Sequence, residues 1–211
     1  MPDGYHRGEQ SSGGLCYSLC MSPRNVGVGK TVPSSSENTA SIGEFIAAFS
    51  AKDGYRRQLA RQALVRIGRP CVNALIEALG SPLTVVRWEA ADALGEIREP
   101  SAAPALVNAL RDQAIEVRWV AAEGLIALGR ASLEPLLRAL IKYFGSLQLR
   151  EGAHHVLYAL NKSRQLNKDT QAVLKSLRSF EPVVSVPWAA QTALDSLTKP
   201  QVHESKEAVH G

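Results

Sequence analysis

Few side chains in this sequence combine the type and spacing needed to act on a ligand, and arginine beside tryptophan comes first. Arg87-Trp88 and Arg118-Trp119 recur at an offset of 31 residues. A tryptophan face with a guanidinium edge can stack on a peptide, a tetrapyrrole or a nucleobase. The same pair also suits plain packing, with Arg bonding a nearby loop and Trp covering a seam. A second group is Arg150, His154, His155 and Tyr158. Neighbouring residues on a helix point about 100° apart, so His154 and His155 are not expected to share one metal ion. They read as one packed and one partly exposed histidine, or as a polar patch with Tyr158.

Two other patterns fall short of chemistry. Cys16 and Cys20 with His6 lack a second ligand pair, so no metal knuckle is expected. Gly27-Val28-Gly29-Lys30-Thr31 resembles the end of a phosphate-binding loop, but Arg24 stands where the first glycine belongs and no apolar strand precedes it. No Ser/His/Asp set, paired carboxylates or phosphate cradle can be assembled. The reading is of no catalytic residue, no metal and no cofactor.

The elements that must position these residues repeat. Arg87-Trp88-Glu89-Ala90-Ala91-Asp92-Ala93-Leu94-Gly95-Glu96-Ile97 returns as Arg118 to Leu128, with earlier and later copies at Arg57 to Ile67 and Arg150 to Leu160. A last copy runs from Trp188 to Leu197. A shorter motif alternates with it: Ala74-Leu75-Ile76, Ala105-Leu106-Val107 and Leu136-Leu137, each followed by a second Ala-Leu pair. Apolar residues at i, i+3, i+4 and i+7 place both motifs on helices. Gly68, Gly95 and Gly129 suit the ends of first helices, and Pro70, Pro100, Pro104 and Pro135 the starts of second ones. Ser81 and Asp112 suit caps. One such hairpin cannot bury its own apolar face, so neighbours must stack.

The organisation follows: a polar tail over 1–40, a repeat domain over 41–198 and a second polar tail over 199–211. The repeat domain comprises a half-unit at 41–50, four hairpins across 51–180 and a closing helix at 186–198. The tails, rich in Gly, Ser, Pro and charge, are expected to be disordered. The chain has 211 residues, a net charge of +4 and three cysteines. Sparse cysteines and the lack of a basic flank leading into an apolar stretch predict a cytoplasmic protein. No apolar run reaches the roughly 20 residues that span a bilayer. Arg56, Arg57, Arg61, Arg66 and Arg69, and then Lys162, Arg164, Lys168, Lys175 and Arg178, form basic clusters that suit an acidic partner.

Val86-Arg87-Trp88-x-Ala90-Ala91-x-Ala93-Leu94-Gly95-x-Ile97, followed by Pro104-Ala105-Leu106-x-x-Ala109-Leu110, resembles the HEAT repeats of the phycobilisome-lyase-like subgroup. The resemblance covers about 41–198. It implies an all-α, right-handed α-solenoid (armadillo-like) of about five HEAT-like hairpins. It also implies an aspartate six residues before each repeat arginine, forming an inter-repeat ladder. Asp112 and Arg118 fit that rule, whereas Ser81 and Phe144 replace the acid elsewhere. Metal-dependent HEAT enzymes resembling deoxyhypusine hydroxylase carry repeated His-Glu pairs; here His203-Glu204 stands alone in the tail.

The functional expectation is a non-catalytic scaffold or adaptor that binds another protein with an acidic surface. Its predicted partner-binding residues are Arg87, Trp88, Arg118, Trp119, Arg150, His154 and Tyr158. The alternative that the resemblance implies is a bilin lyase-like subunit handling a linear tetrapyrrole beside a second subunit. A nucleic-acid-binding HEAT-like protein is the third reading. No membrane association is expected.

Overall fold

The computed structural model describes residues 35–179 and 181–198. Both expected tails, the Cys16/Cys20/His6 group and the Gly27–Thr31 segment lie outside them, except that the first helix, α1, spans Ser35–Ala48 and so starts inside the stretch read as tail. The described residues are helical throughout, with no strand among them. Four hairpins follow α1. They are α2 (Gly54–Ile67) with α3 (Val72–Ala78), α4 (Thr84–Ile97) with α5 (Ala103–Ala109), α6 (Ile115–Leu128) with α7 (Leu133–Lys142), and α8 (Leu147–Lys162) with α9 (Lys168–Ser176). A final helix, α10, spans Pro182–Thr198. Among the described residues, no helix is long and apolar enough to cross a membrane.

Local chemistry sets the boundaries. Asp53, Ser146 and Asn167 cap α2, α8 and α9 by accepting hydrogen bonds from the amides of Tyr55, Leu149 and Thr170. Gly68 and Gly129 end α2 and α6 with φ of 74° and 61°, and both have ψ near −130°, a region open in practice to glycine. Arg98 ends α4 in the ordinary left-handed region, φ 56°, where a side chain is strained. Pro70 and Pro100 sit in the short 3-10 turns that lead into α3 and α5.

The first helices stack as one row, α2 on α4 on α6 on α8, and α3, α5 and α7 belong to a second row. Each repeat places its motif leucine in the seam: Leu64, Leu94, Leu125 and Leu157 are all 0% exposed. They join one continuous core with Leu75, Leu106, Leu136 and Leu137. The last helix breaks the pattern. Although Trp188–Leu197 copies the first-helix motif, α10 packs on α7 and α9 rather than beside α8. It runs antiparallel to α9, with Asn167 meeting Ser196 at one end and Ser185 near Ser176 at the other.

Gly95 stands in the last turn of α4, near the helix end as its spacing implies, but there it serves packing rather than termination. It lies inside α4, where a Cβ would sit 2.8 Å from the Cα of Gly124 on α6. The two glycines let the row's central helices touch backbone to backbone. Alanine in place of Gly95 would gain up to about 1 kcal/mol of helix propensity. Overpacking against backbone, which cannot swing aside, costs about 1–3 kcal/mol and wins. Gly95→Ala is therefore expected to lower the urea midpoint. Arg98→Gly relieves left-handed strain of about 1–2 kcal/mol against a smaller loss from unfolded-state entropy. It is expected to raise stability in the same urea series by about 0.5–1 kcal/mol.

Candidate binding surfaces

The repeat arginines take up their positions for an internal reason. Arg57 donates from Nη1 to the carbonyls of Ala51 and Lys52 at 2.8 and 3.2 Å. Arg87 does the same to Ser81 and Pro82, and Arg118 to Asp112 and Gln113. Arg150 donates to Phe144 at 2.6 Å. Each arginine thus closes the turn entering its own helix. Arg87 also reaches the next repeat, where its Nε and Nη2 bond the two oxygens of Asp112 at 2.7 and 2.9 Å. This bidentate pair is the inter-repeat ladder. One repeat earlier Arg57 bonds Glu89 instead, and one repeat later Phe144 stands in the acid's place and Arg118 makes no ion pair among the described residues.

The basic cluster of the first hairpin is likewise less free than its sequence suggests. Arg61 bonds Glu89 and pairs with Asp92 and Glu96 on α4, and Arg57 shares Glu89, a residue only 3% exposed. Burial pushes the Asp92 carboxyl up, with Glu96 and Glu89 adding to that and Arg61 opposing it. Arg61 also lies 5.5 Å over the ring of Trp88, which is half-buried against the core. Lys175 and Arg178 of the fourth hairpin remain exposed, with no ion pair among the described residues.

Of the seven residues singled out by sequence, the structure brings some together and separates others. Trp119 is 60% exposed on α6, and its ring meets that of His155 on α8 at 4.8 Å. His155 bonds Glu123 at 2.9 Å. Tyr158 is 55% exposed and stacks at 6.2 Å on His154, on the same helix. His154 is half-buried and its Nε2 is enclosed without a partner. Burial, then Arg178 and His155, hold its pKa below the usual histidine value. Trp88 and Trp119 occupy equivalent positions but are not one platform, since a side chain of the neighbouring helix covers each differently.

A separate concavity involves none of the seven. A groove of about 560 Å³ runs between α5 and α7. Pro104, Val107, Pro135 and Ala139 give it an apolar lining. Arg111, Arg138 and Lys142 rim it with positive charge, and Arg111 and Lys142 lie 4.0 and 5.0 Å over the ring of Tyr143. Glu134, paired with Arg138 at 2.8 Å, is its lining acid. The sequence signal was available: Arg111 and Tyr143 each lie just past the end of a second helix. Neither belongs to the repeat motif, so the periodicity drew no attention to them.

This alternation of two helix rows matches a known family over part of its length. The family model for HEAT repeats covers residues 44–125. That segment carries HEAT repeats. The helical array also resembles a chain in the structure of the complex of CpcE and CpcF of phycocyanin lyase from Nostoc sp. PCC7120. That match has a TM-score of 0.51 and 24% identity, and covers 74% of this chain and 98% of the other. It shows a shared fold. No curated protein matches the chain significantly. Among the described residues, no group of three or more metal-ligating side chains comes together.

The HEAT ladder makes a pH-dependent prediction. Burial alone would raise the Asp112 carboxyl, but the Arg87 hydrogen bond, the Ala114 amide and the charges of Arg87 and Arg118 hold it below its ordinary value. A carboxyl depressed on folding adds stability above its unfolded pKa and loses it as pH falls through the folded one. Asp112→Asn is expected to cost about 1.5–3 kcal/mol at pH 7. Urea unfolding from neutral to acid pH should show wild type and variant converging only below about pH 4.

Proposed function

We propose that this chain is a non-catalytic interaction module, a scaffold or adaptor that binds a protein partner presenting acidic surface. One observation supports the reading above others: the α5–α7 groove combines an apolar floor with a rim of Arg111, Arg138 and Lys142. A floor of proline, valine and alanine accepts an aliphatic or aromatic anchor, and the rim steers and orients carboxylates around it. Lys142 lies exposed at the end of α7, and Arg111 is exposed just past α5, so both can meet a partner without unfolding anything. The arginines of the repeat motif are less suited, because their guanidinium groups already hold turns and ladder.

A second reading is a lyase-like subunit handling a linear tetrapyrrole. It is favoured by the fold shared with a chain of the phycocyanin lyase complex. A tetrapyrrole also offers carboxylates and a flat apolar body, which the same groove chemistry would accept.

Quantitative affinity capture from the native cell separates the readings. Arg111→Glu/Lys142→Glu should reduce recovery of the principal partner at least about tenfold, equivalent to about 1.4 kcal/mol. Unchanged recovery would remove the groove from the reading. Adding phycocyanobilin to the purified chain, alone and with the captured partner, should leave the visible absorption band unshifted. A shifted band lost in the same double variant would favour the lyase-like reading instead.

A further inference from the structure

A smaller cleft on the other helix row has a different chemistry, an open tryptophan beside a carboxylate. It lies between α6 and α8, measures about 200 Å³, and is lined by Ile115, Trp119, Ala122, Gln148, Glu151 and His155, with Arg118 and Gly152 completing it. Pockets for drug-sized ligands run to about 300–1,000 Å³, so this one suits a single long side chain.

We propose that the cleft receives an arginine or lysine side chain of a basic partner segment, stacked on Trp119. The indole is the aromatic face that attracts cations most strongly, and here it is largely open to solvent. The aliphatic stem of such a side chain would lie on Ile115, 70% exposed, and on Ala122. One carboxylate lines the cleft and two more flank Trp119 along α6. Glu151 lines the cleft without an ion pair or hydrogen bond among the described residues. Glu116 and Glu123 stand one helical turn before and after Trp119. The competing cation, Arg118, directs Nη1 away to the carbonyls of Asp112 and Gln113 at 2.9 and 3.1 Å. His155 leans on part of the Trp119 ring and is held by Glu123, while the indole stays 60% exposed. In a chain of net charge +4, the cleft balances Arg118 against Glu151, with Glu116 and Glu123 beside it on α6. The cleft and the α5–α7 groove lie on different rows, so occupancy of one does not require the other.

The test is an NMR titration of the full ¹⁵N-labelled chain, following the Trp119 indole N–H, assigned by its loss in Trp119→Leu. The probe is a short Gly-Ser peptide carrying two arginines, and the control is the same peptide with glutamates. The arginine peptide should shift the Trp119 signal saturably, and the glutamate peptide should not. Glu123→Gln/Glu151→Gln keeps a hydrogen-bond acceptor for His155 and removes two charges. It should weaken binding at least fivefold, with the thermal midpoint followed alongside to show that the fold is retained. No shift with the arginine peptide, equal shifts with both peptides, or undiminished binding in the folded double variant would each overturn the proposal. A signal that moves with protein concentration and not with peptide would also overturn it, assigning the cleft to a second copy of the chain.

Discussion

Between one repeat and the next the chain must turn sharply, and the turn leaves backbone carbonyls with no helical partner. Arg57, Arg87, Arg118 and Arg150 each bring a guanidinium to those oxygens. Unpaired carbonyls at the edge of a core are costly, so this contact fixes how every first helix begins. Once the start is fixed, the direction of the helix and the placing of Leu64, Leu94, Leu125 and Leu157 in the seam follow. The ladder from Arg87 to Asp112 then adds register between two repeats.

That structural duty separates two kinds of residue that look alike in the sequence. Arg87, Arg118 and Arg150 recur, and recurrence here marks a turn that must be closed in every unit. Arg111 and Lys142 hold the same place in two consecutive repeats, but Gly80 stands there one repeat earlier, and with Tyr143 they rim the α5–α7 groove. Within a repeat array, the positions common to all units build the frame. The positions free to differ are those that distinguish one array's surface from another's.

The fold was legible because its signal is redundant. Several copies of a helical motif, punctuated by glycine and proline, leave little freedom in how the apolar faces meet. The seam leucines, the caps at Ser81 and Asp112 and the incomplete ladder all lie where spacing placed them. Three features were not legible, each because it depends on contacts between residues far apart in sequence. Spacing placed Gly95 near a helix end, but its contact with Gly124 comes from the next repeat. The arginines of the first hairpin looked unpaired because Glu89, Asp92 and Glu96 belong to the next unit. Trp88 and Trp119 looked equivalent, yet Arg61 lies over one and His155 over the other.

The placing of α10 has a consequence for how the molecule breathes. α9 is a short helix whose extensive neighbours are α8 and α10, and its contact with α8 is the lesser of the two. Val173 and Leu174 on α9, and Val186 and Ala190 on α10, lose their shelter if either helix leaves. α10 also packs on α7 as extensively as on α9, so the last hairpin is tied to the second row through α10 more than through α8. Losing α10 would unseat α9 and bare α7 together, so this end of the array is strapped back onto its own middle rather than merely stacked on it.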